Sequence, residues 1–181
     1  LGTFVAEPPA ISSTLQITDF RAEFNQTNPA YSNRILALKE LDKELDKEVS
    51  KELRGEKDIA LLLGLDEGDP AFYSVVMHYR NSAAVQWEEC FVNPQLAPAY
   101  LKQNFTKVTP QAYLDWVAPA TRVEHQVQAV MPEVEIAGAL GLPAISSCLK
   151  VSRRSWRGDK VVSVCRFIYP SSYSLGAELI I

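Results

Sequence analysis

Two histidines, an adjacent pair of glutamates and a group of arginines are the residues through which this chain could do chemistry. His78 alternates with Phe72, Ser74 and Val76, so on an extended strand these four share a face. A single strand histidine is more often structural than a ligand contact. His125 alternates with Val123, Val127 and Ala129, and reads as a satisfied histidine on a buried face. Glu88 and Glu89 are neighbours, so simple alternation sends their carboxylates to opposite faces, and only a bulge would exchange them. Arg153, Arg154 and Arg166 fall on the two arms of one expected hairpin. Such arginines usually lie at the surface, yet one facing inward would be the natural counter-ion of an acidic ligand.

That chemistry is recognition, not turnover. The chain has no Gly-x-Ser-x-Gly, His-Glu-x-x-His, Walker loop or Gly-x-Gly-x-x-Gly, which argues against an enzyme. With only two histidines, no Cys/His spacing suggests a metal, and no cofactor is expected. Cys90, Cys148 and Cys165 are too scattered for a disulfide framework and read as three core thiols in a reducing cytoplasm. The net charge is −4, with nothing more basic than Arg153-Arg154 and Arg157. A DNA-binding surface needs concentrated Lys and Arg to displace counterions, so this segment is not itself a DNA-binding module. No apolar run approaches the roughly 20 residues of a membrane-spanning helix.

The elements that must position these residues can be read in order. Thr18 or Asp19 caps a short helix carrying Phe20 and Phe24, and Arg34 to Leu38 is a strand. A four-residue repeat follows from Lys39 to Arg54, placing Leu41, Leu45, Val49 and Leu53 on one helical stripe. The stripe suits either a dimer contact or, the plainer reading, a solvated helix lying on a sheet. Asp58 to Leu65 ends a helix near Gly64. Phe72 to Arg80 and Val85 to Val92 form a hairpin around Asn81-Ser82. Pro98 to Phe105 and Pro110 to Val117 read as short helices with proline in the first turn. Arg122 to Val130 is a strand, Pro132 to Leu140 a helix stopped by Gly141. Cys148 to Trp156 and Val161 to Tyr169 form a second hairpin, and Tyr173 to Ile181 a last strand. Hairpins interleaved with helices predict an α+β fold with a largely antiparallel sheet.

The ordered series from Phe91 to Trp156 carries a resemblance. It runs Phe91-Val92-Asn93-Pro94, Ala97-Pro98-Ala99-Tyr100-Leu101, Thr109-Pro110-Gln111-Ala112-Tyr113-Leu114, Val117-Ala118-Pro119, Val123-Glu124-His125, Leu140-Gly141-Leu142-Pro143 and Ser152-Arg153-Arg154-Ser155-Trp156. Together these resemble the UTRA effector-binding domain of HutC-type, GntR-superfamily histidine-utilisation repressors, a domain that shares its fold with chorismate lyase. Gly2-Thr3-Phe4-Val5 is similar to the segment closing the wing of the GntR winged helix. Residues 1–13 then read as wing and linker, and 14–181 as the effector domain.

The resemblance implies site residues. In relatives that take phosphosugars an Arg-x-Arg pair holds the phosphate; its places here are Val76 and His78, which removes the bidentate fork. The same alignment puts the family's ligand glutamate at Glu88. Gln111 and Tyr113 take the places of a Ser-x-Tyr ligand motif at a helix start, where backbone N–H groups and a phenol suit an anion, although Tyr113 can equally pack in a core. Tyr173 matches a tyrosine that closes the pocket from the last strand. The implied ligand set is His78, Glu88, Gln111, Tyr113, Arg153, Arg166 and Tyr173. The implied effector is urocanate, with histidine or another small acid or sugar derivative as alternatives. The implied partners are a second copy of the chain, and operator DNA through a separate winged-helix domain. A chorismate lyase-like enzyme and a purely structural dimerisation domain are further alternatives.

Overall fold

A computed structural model describes residues 31–41, 59–66 and 69–174 of the chain. The wing and linker, the helix after Asp19 and residues 42–54 of the repeat lie outside the described residues. The elements are β1 (Tyr31–Leu41), α1 (Ile59–Leu63), β2 (Ala71–Arg80), β3 (Ala83–Val92), a 3-10 turn (Tyr100–Lys102), α2 (Pro110–Val117), β4 (Arg122–Val130), α3 (Val134–Ala139), β5 (Cys148–Arg157) and β6 (Lys160–Pro170). They build one six-stranded sheet in the order β1-β2-β3-β6-β5-β4, antiparallel at every junction. This is the expected α+β class.

Two local hairpins are joined into one sheet by a non-local pairing. Asn81 and Ser82 both take positive φ (48° and 67°), the backbone a two-residue turn needs to follow the twist of its strands. Gly158, at φ 59°, serves the second hairpin. β3 then pairs with β6, setting Glu88 opposite Phe167 and Cys90 opposite Cys165. The interior strand β2, next to the edge strand β1, is buried on both faces, with Val76 and Met77 wholly enclosed. Full burial of such side chains is worth about 1.5–3 kcal/mol each.

Each face of the sheet has its own core. On one, α1 and α3 bring Ile59, Leu63, Ile136 and Leu140 against Tyr73, Met77, Phe91 and Ile168. On the other, Tyr100, Phe105, Tyr113 and Leu114 cover Phe72, Val92, Val151 and Phe167. Polar residues of the second face fill the space between these aromatics, and that face carries the site.

The structure corrects several sequence expectations. β1 runs on to Leu41, which is buried in the first core, so the repeat begins on a strand and Leu41 opens no helical stripe. Within Pro98 to Phe105 only one 3-10 turn forms. The Asn104 side chain accepts from Thr106 N at 3.0 Å, competing with helical bonding at the segment's end. Tyr173 follows β6 in a turn closed by Tyr173 N to Pro170 O, not in a strand, and residues 175–181 are outside the described residues. Val123 and Val127 are exposed because β4 is an edge strand, leaving His125 half-buried and not in a core. The cysteines are not three thiols: Cys90 and Cys165 are disulfide-bonded, and only Cys148 is free. Their partnership spans 75 residues and follows from the β3–β6 register, which local pattern does not reveal.

Candidate ligand-binding site

Alternation along β2 and β3 brings the first polar group together. His78, Gln86 and Glu88 share the second face and are buried, with His78 paired to Gln86 and Val76 to Glu88. His78 Nε2 lies 2.8 Å from Glu88 Oε2, and His78 Nδ1 lies 2.7 Å from the Tyr31 hydroxyl of β1. Asn33 Nδ2 reaches the Tyr31 oxygen at 3.3 Å and donates to Phe105 O at 2.7 Å. One donor order satisfies the chain of bonds: Asn33 donates to Tyr31, Tyr31 to His78 Nδ1, and His78 Nε2–H to Glu88. His78 is thereby held by its neighbours on both nitrogens and orients Glu88. Glu88 Oε1 is left with Cys90 Sγ at 3.7 Å, and a disulfide sulfur has no hydrogen to donate.

Gln86 was not foreseen, although its period-2 relation to Glu88 marks it in hindsight. Its amide nitrogen donates to Tyr169 Oη at 2.6 Å, and its buried Oε1 has no partner. Tyr173 stacks on Tyr169 with centroids 4.3 Å apart, covering this corner. Tyr31 and Tyr169 were also missed, because they join the group only through pairings that are remote in sequence.

The second polar group is cationic. Ser74, Cys90, Cys165, Arg153 and His125 form one row across five strands. Arg153 is buried in that row. Burial lowers its guanidinium below the ordinary range, while the Asp115 and Glu88 carboxylates pull the other way. The nearest carboxylate oxygen, on half-exposed Asp115 of α2, is 3.9 Å away, and Arg153 Nε has no partner. Asp115 also accepts from Gln111 Nε2 at 2.7 Å, which places the start of α2 above Arg153, while the buried Gln111 Oε1 has no partner. Thr109 caps α2 by accepting from Ala112 N at 3.2 Å. Tyr113 packs its ring against Tyr100 and Phe105, and burial raises its phenol, so the core reading of its ring holds.

One predicted ligand residue lies elsewhere. Arg166 projects to the opposite face, where it pairs with Glu89, and Tyr73 donates to Glu89 Oε1 at 2.6 Å. Strand alternation thus holds without exchange: Glu88 stays with His78, and Glu89 belongs to a buried ion pair under α3. Arg154 is on that face too, donating to Leu62 O and stacking on Trp156. Among the described residues no group of three metal-ligating side chains converges, and no helix is long and apolar enough to cross a membrane.

The profile of the UTRA domain matches residues 48–174. The chain belongs to the UTRA family. Two curated histidine utilization repressors align with this UTRA chain over 172 residues, 95% of its length. The protein of Pseudomonas putida is 37% identical and that of Klebsiella aerogenes 34%. The chain spans 64% and 66% of those relatives. Among solved structures, the C-terminal domain of the histidine utilization repressor of Pseudomonas syringae pv. tomato superposes with a TM-score of 0.73 at 36% identity. The match covers 83% of this UTRA chain and 99% of that one. The effector domain of PhnF from Mycobacterium smegmatis has the same fold, with TM-score 0.73 at 17% identity, covering 90% of this chain and 95% of its own. Both relatives are named as repressors.

Proposed function

We propose that this UTRA domain is the effector-sensing part of a cytoplasmic repressor of histidine utilisation, with urocanate as its inducer. The observation carrying the proposal is a pair of incomplete polar groups on one sheet face. Arg153 is a buried cation without a close counter-ion, and Glu88 is a buried acceptor with one oxygen lacking an N–H or O–H donor. A ligand with a carboxylate at one end and an imidazole at the other completes both. Glu88 and Arg153 are two strands apart and offset by two residues, roughly 12 Å between backbones from sheet spacing. Both side chains rise from the same face of the sheet. Gln86 Oε1 supplies a further acceptor beside Glu88. Histidine has the same two ends and adds an ammonium for which the site shows no dedicated partner among the described residues, whereas another small acid would use the Arg153 contact alone.

Val76 is wholly enclosed and faces Glu88 across the hairpin, so the place of a phosphate-binding arginine is filled by hydrocarbon. A phosphosugar therefore has neither guanidinium here. In the whole regulator the domain acts as a homodimer, and operator DNA is reached through a separate winged-helix domain. Inducer binding shifts the arrangement of the two DNA-binding units by as much as its affinity differs between arrangements. The test is thermal unfolding with urocanate, histidine and N-acetylglucosamine 6-phosphate. Urocanate at 100 times its dissociation constant adds about 2.7 kcal/mol. Stabilisation by the phosphosugar and not by urocanate would refute the assignment.

A further inference from the structure

Cys90 and Cys165 face each other on β3 and β6, with Cα atoms 4.1 Å apart, and both are buried. They occupy the same cross-strand row as Ser74 and Arg153, in the layer that carries the site. Cys90 Sγ is 3.7 Å from Glu88 Oε1, while Glu88 Oε2 is already held by His78. A thiol at that place has a hydrogen for Oε1, and a disulfide sulfur has none. The chemical state of Cys90 thus decides whether Glu88 Oε1 meets a donor from within the protein.

We infer that Cys90 and Cys165 form a reversible thiol–disulfide site whose state tunes effector affinity; this rests on the reading of Glu88 as acceptor of an effector N–H. The co-reactant is a small disulfide such as oxidised glutathione. One cysteine thiolate attacks a sulfur of the small disulfide, breaking its S–S bond and releasing one small thiol. The second cysteine attacks the protein sulfur of the mixed disulfide, the other small thiol leaves, and the Cys90–Cys165 bond remains. Two electrons pass from the cysteines to the small disulfide, and the two cysteine protons end on the two small thiols.

In the reduced state Cys90 S–H donates to Glu88 Oε1, and an incoming N–H must displace it. In the oxidised state that competitor is gone. The oxidised form therefore binds the effector about 2- to 10-fold more tightly, the worth of one net hydrogen bond. Coupling is reciprocal, so the effector favours disulfide formation by the same factor. A tenfold effect corresponds to about 30 mV for a two-electron couple. Cys148, a free thiol in the core on the other face, is the internal control.

The experiment is calorimetric titration of urocanate into the 181-residue chain equilibrated in oxidised or reduced glutathione. Alkylation under denaturing conditions, followed by mass spectrometry, reads each cysteine. Cys90 and Cys165 should resist alkylation together after the oxidised buffer only, with Cys148 alkylated after both. Urocanate should bind the oxidised form about 2- to 10-fold more tightly. The pair Cys90→Ala and Cys165→Ala removes bond and donor, and should match the oxidised form in either buffer. The pair Cys90→Ser and Cys165→Ala supplies a donor without a bond, and should bind more weakly in either buffer. Equal affinity in both states, or no protected pair in the oxidised buffer, overturns the inference and leaves the urocanate assignment standing. Failure of urocanate to bind either state overturns the assignment and the inference together. Where a double variant fails to fold by circular dichroism, the wild-type comparison decides alone.

Discussion

Replacing Arg153 with methionine separates binding from folding more cleanly than any other single change. The guanidinium is buried, its Nε is unpaired, and its closest carboxylate contact is 3.9 Å to a half-exposed Asp115. A pair of that length with an exposed partner is worth about 0–1 kcal/mol. Against it stands the cost of keeping a cation out of water, the same burial that lowers the Arg153 pKa. Methionine keeps the apolar stem, so the unliganded variant should unfold within about 1 kcal/mol of wild type, and on either side of it.

Effector binding should suffer far more. A charge-assisted hydrogen bond to the effector carboxylate is worth about 1.5–3 kcal/mol, or roughly 13- to 160-fold in affinity. At a urocanate concentration 100 times the wild-type dissociation constant, stabilisation falls from about 2.7 to between about 0.3 and 1.3 kcal/mol. For a chain of this size that is a shift of about 5–11 °C in wild type, against about 1–5 °C in the variant. Differential scanning fluorimetry with and without urocanate measures both quantities, and calorimetry gives the affinity directly. Unchanged urocanate affinity would refute the role assigned to Arg153. Loss of several kcal/mol without ligand would show that the residue holds the fold instead.

Glu88→Gln should weaken urocanate by about 1.5–3 kcal/mol in calorimetric titration, whereas Glu89→Gln should cost about 1.5–3 kcal/mol of folding stability by removing the charge paired with buried Arg166, which keeps Glu133 at 3.7 Å. The reverse pattern would place the effector on the wrong sheet face. Burial holds the Tyr73, Tyr100 and Tyr113 phenols above their ordinary value near 10, with Glu89 adding to the effect at Tyr73. Above that value the unfolded chain loses these protons and the folded chain keeps them, so stability present below pH 10 falls as pH rises. Tyr100→Phe should make the alkaline decline in denaturant melts shallower by up to about 1.4 kcal/mol per pH unit, and an unchanged slope would count against it. If the domain serves the proposed repressor, light scattering should give the mass of a dimer, since a two-fold operator calls for a two-fold assembly. A concentration-independent monomer mass would remove that proposal.

Periodicity alone identified the chain's local architecture. The β2–β3 and β5–β6 hairpins, the span of β4 and the proline start of α2 follow from short-range pattern and turn chemistry, and the α+β class follows from their order. The same period of two separated Glu88 from Glu89, because a one-residue slip would have moved a whole buried face. Motif order in turn carried the family. Three things were decided only by tertiary structure. Which arginine faces the site depends on the β3–β6–β5 register: it sets Arg153 beside Cys165 and Arg166 beside Glu89. The Cys90–Cys165 bond depends on the same register. His78 is fixed by Tyr31, 47 positions away on the edge strand β1. Each is a contact between segments distant in the chain, whose meeting is dictated by how the two cores close on the sheet and not by any pattern within either segment.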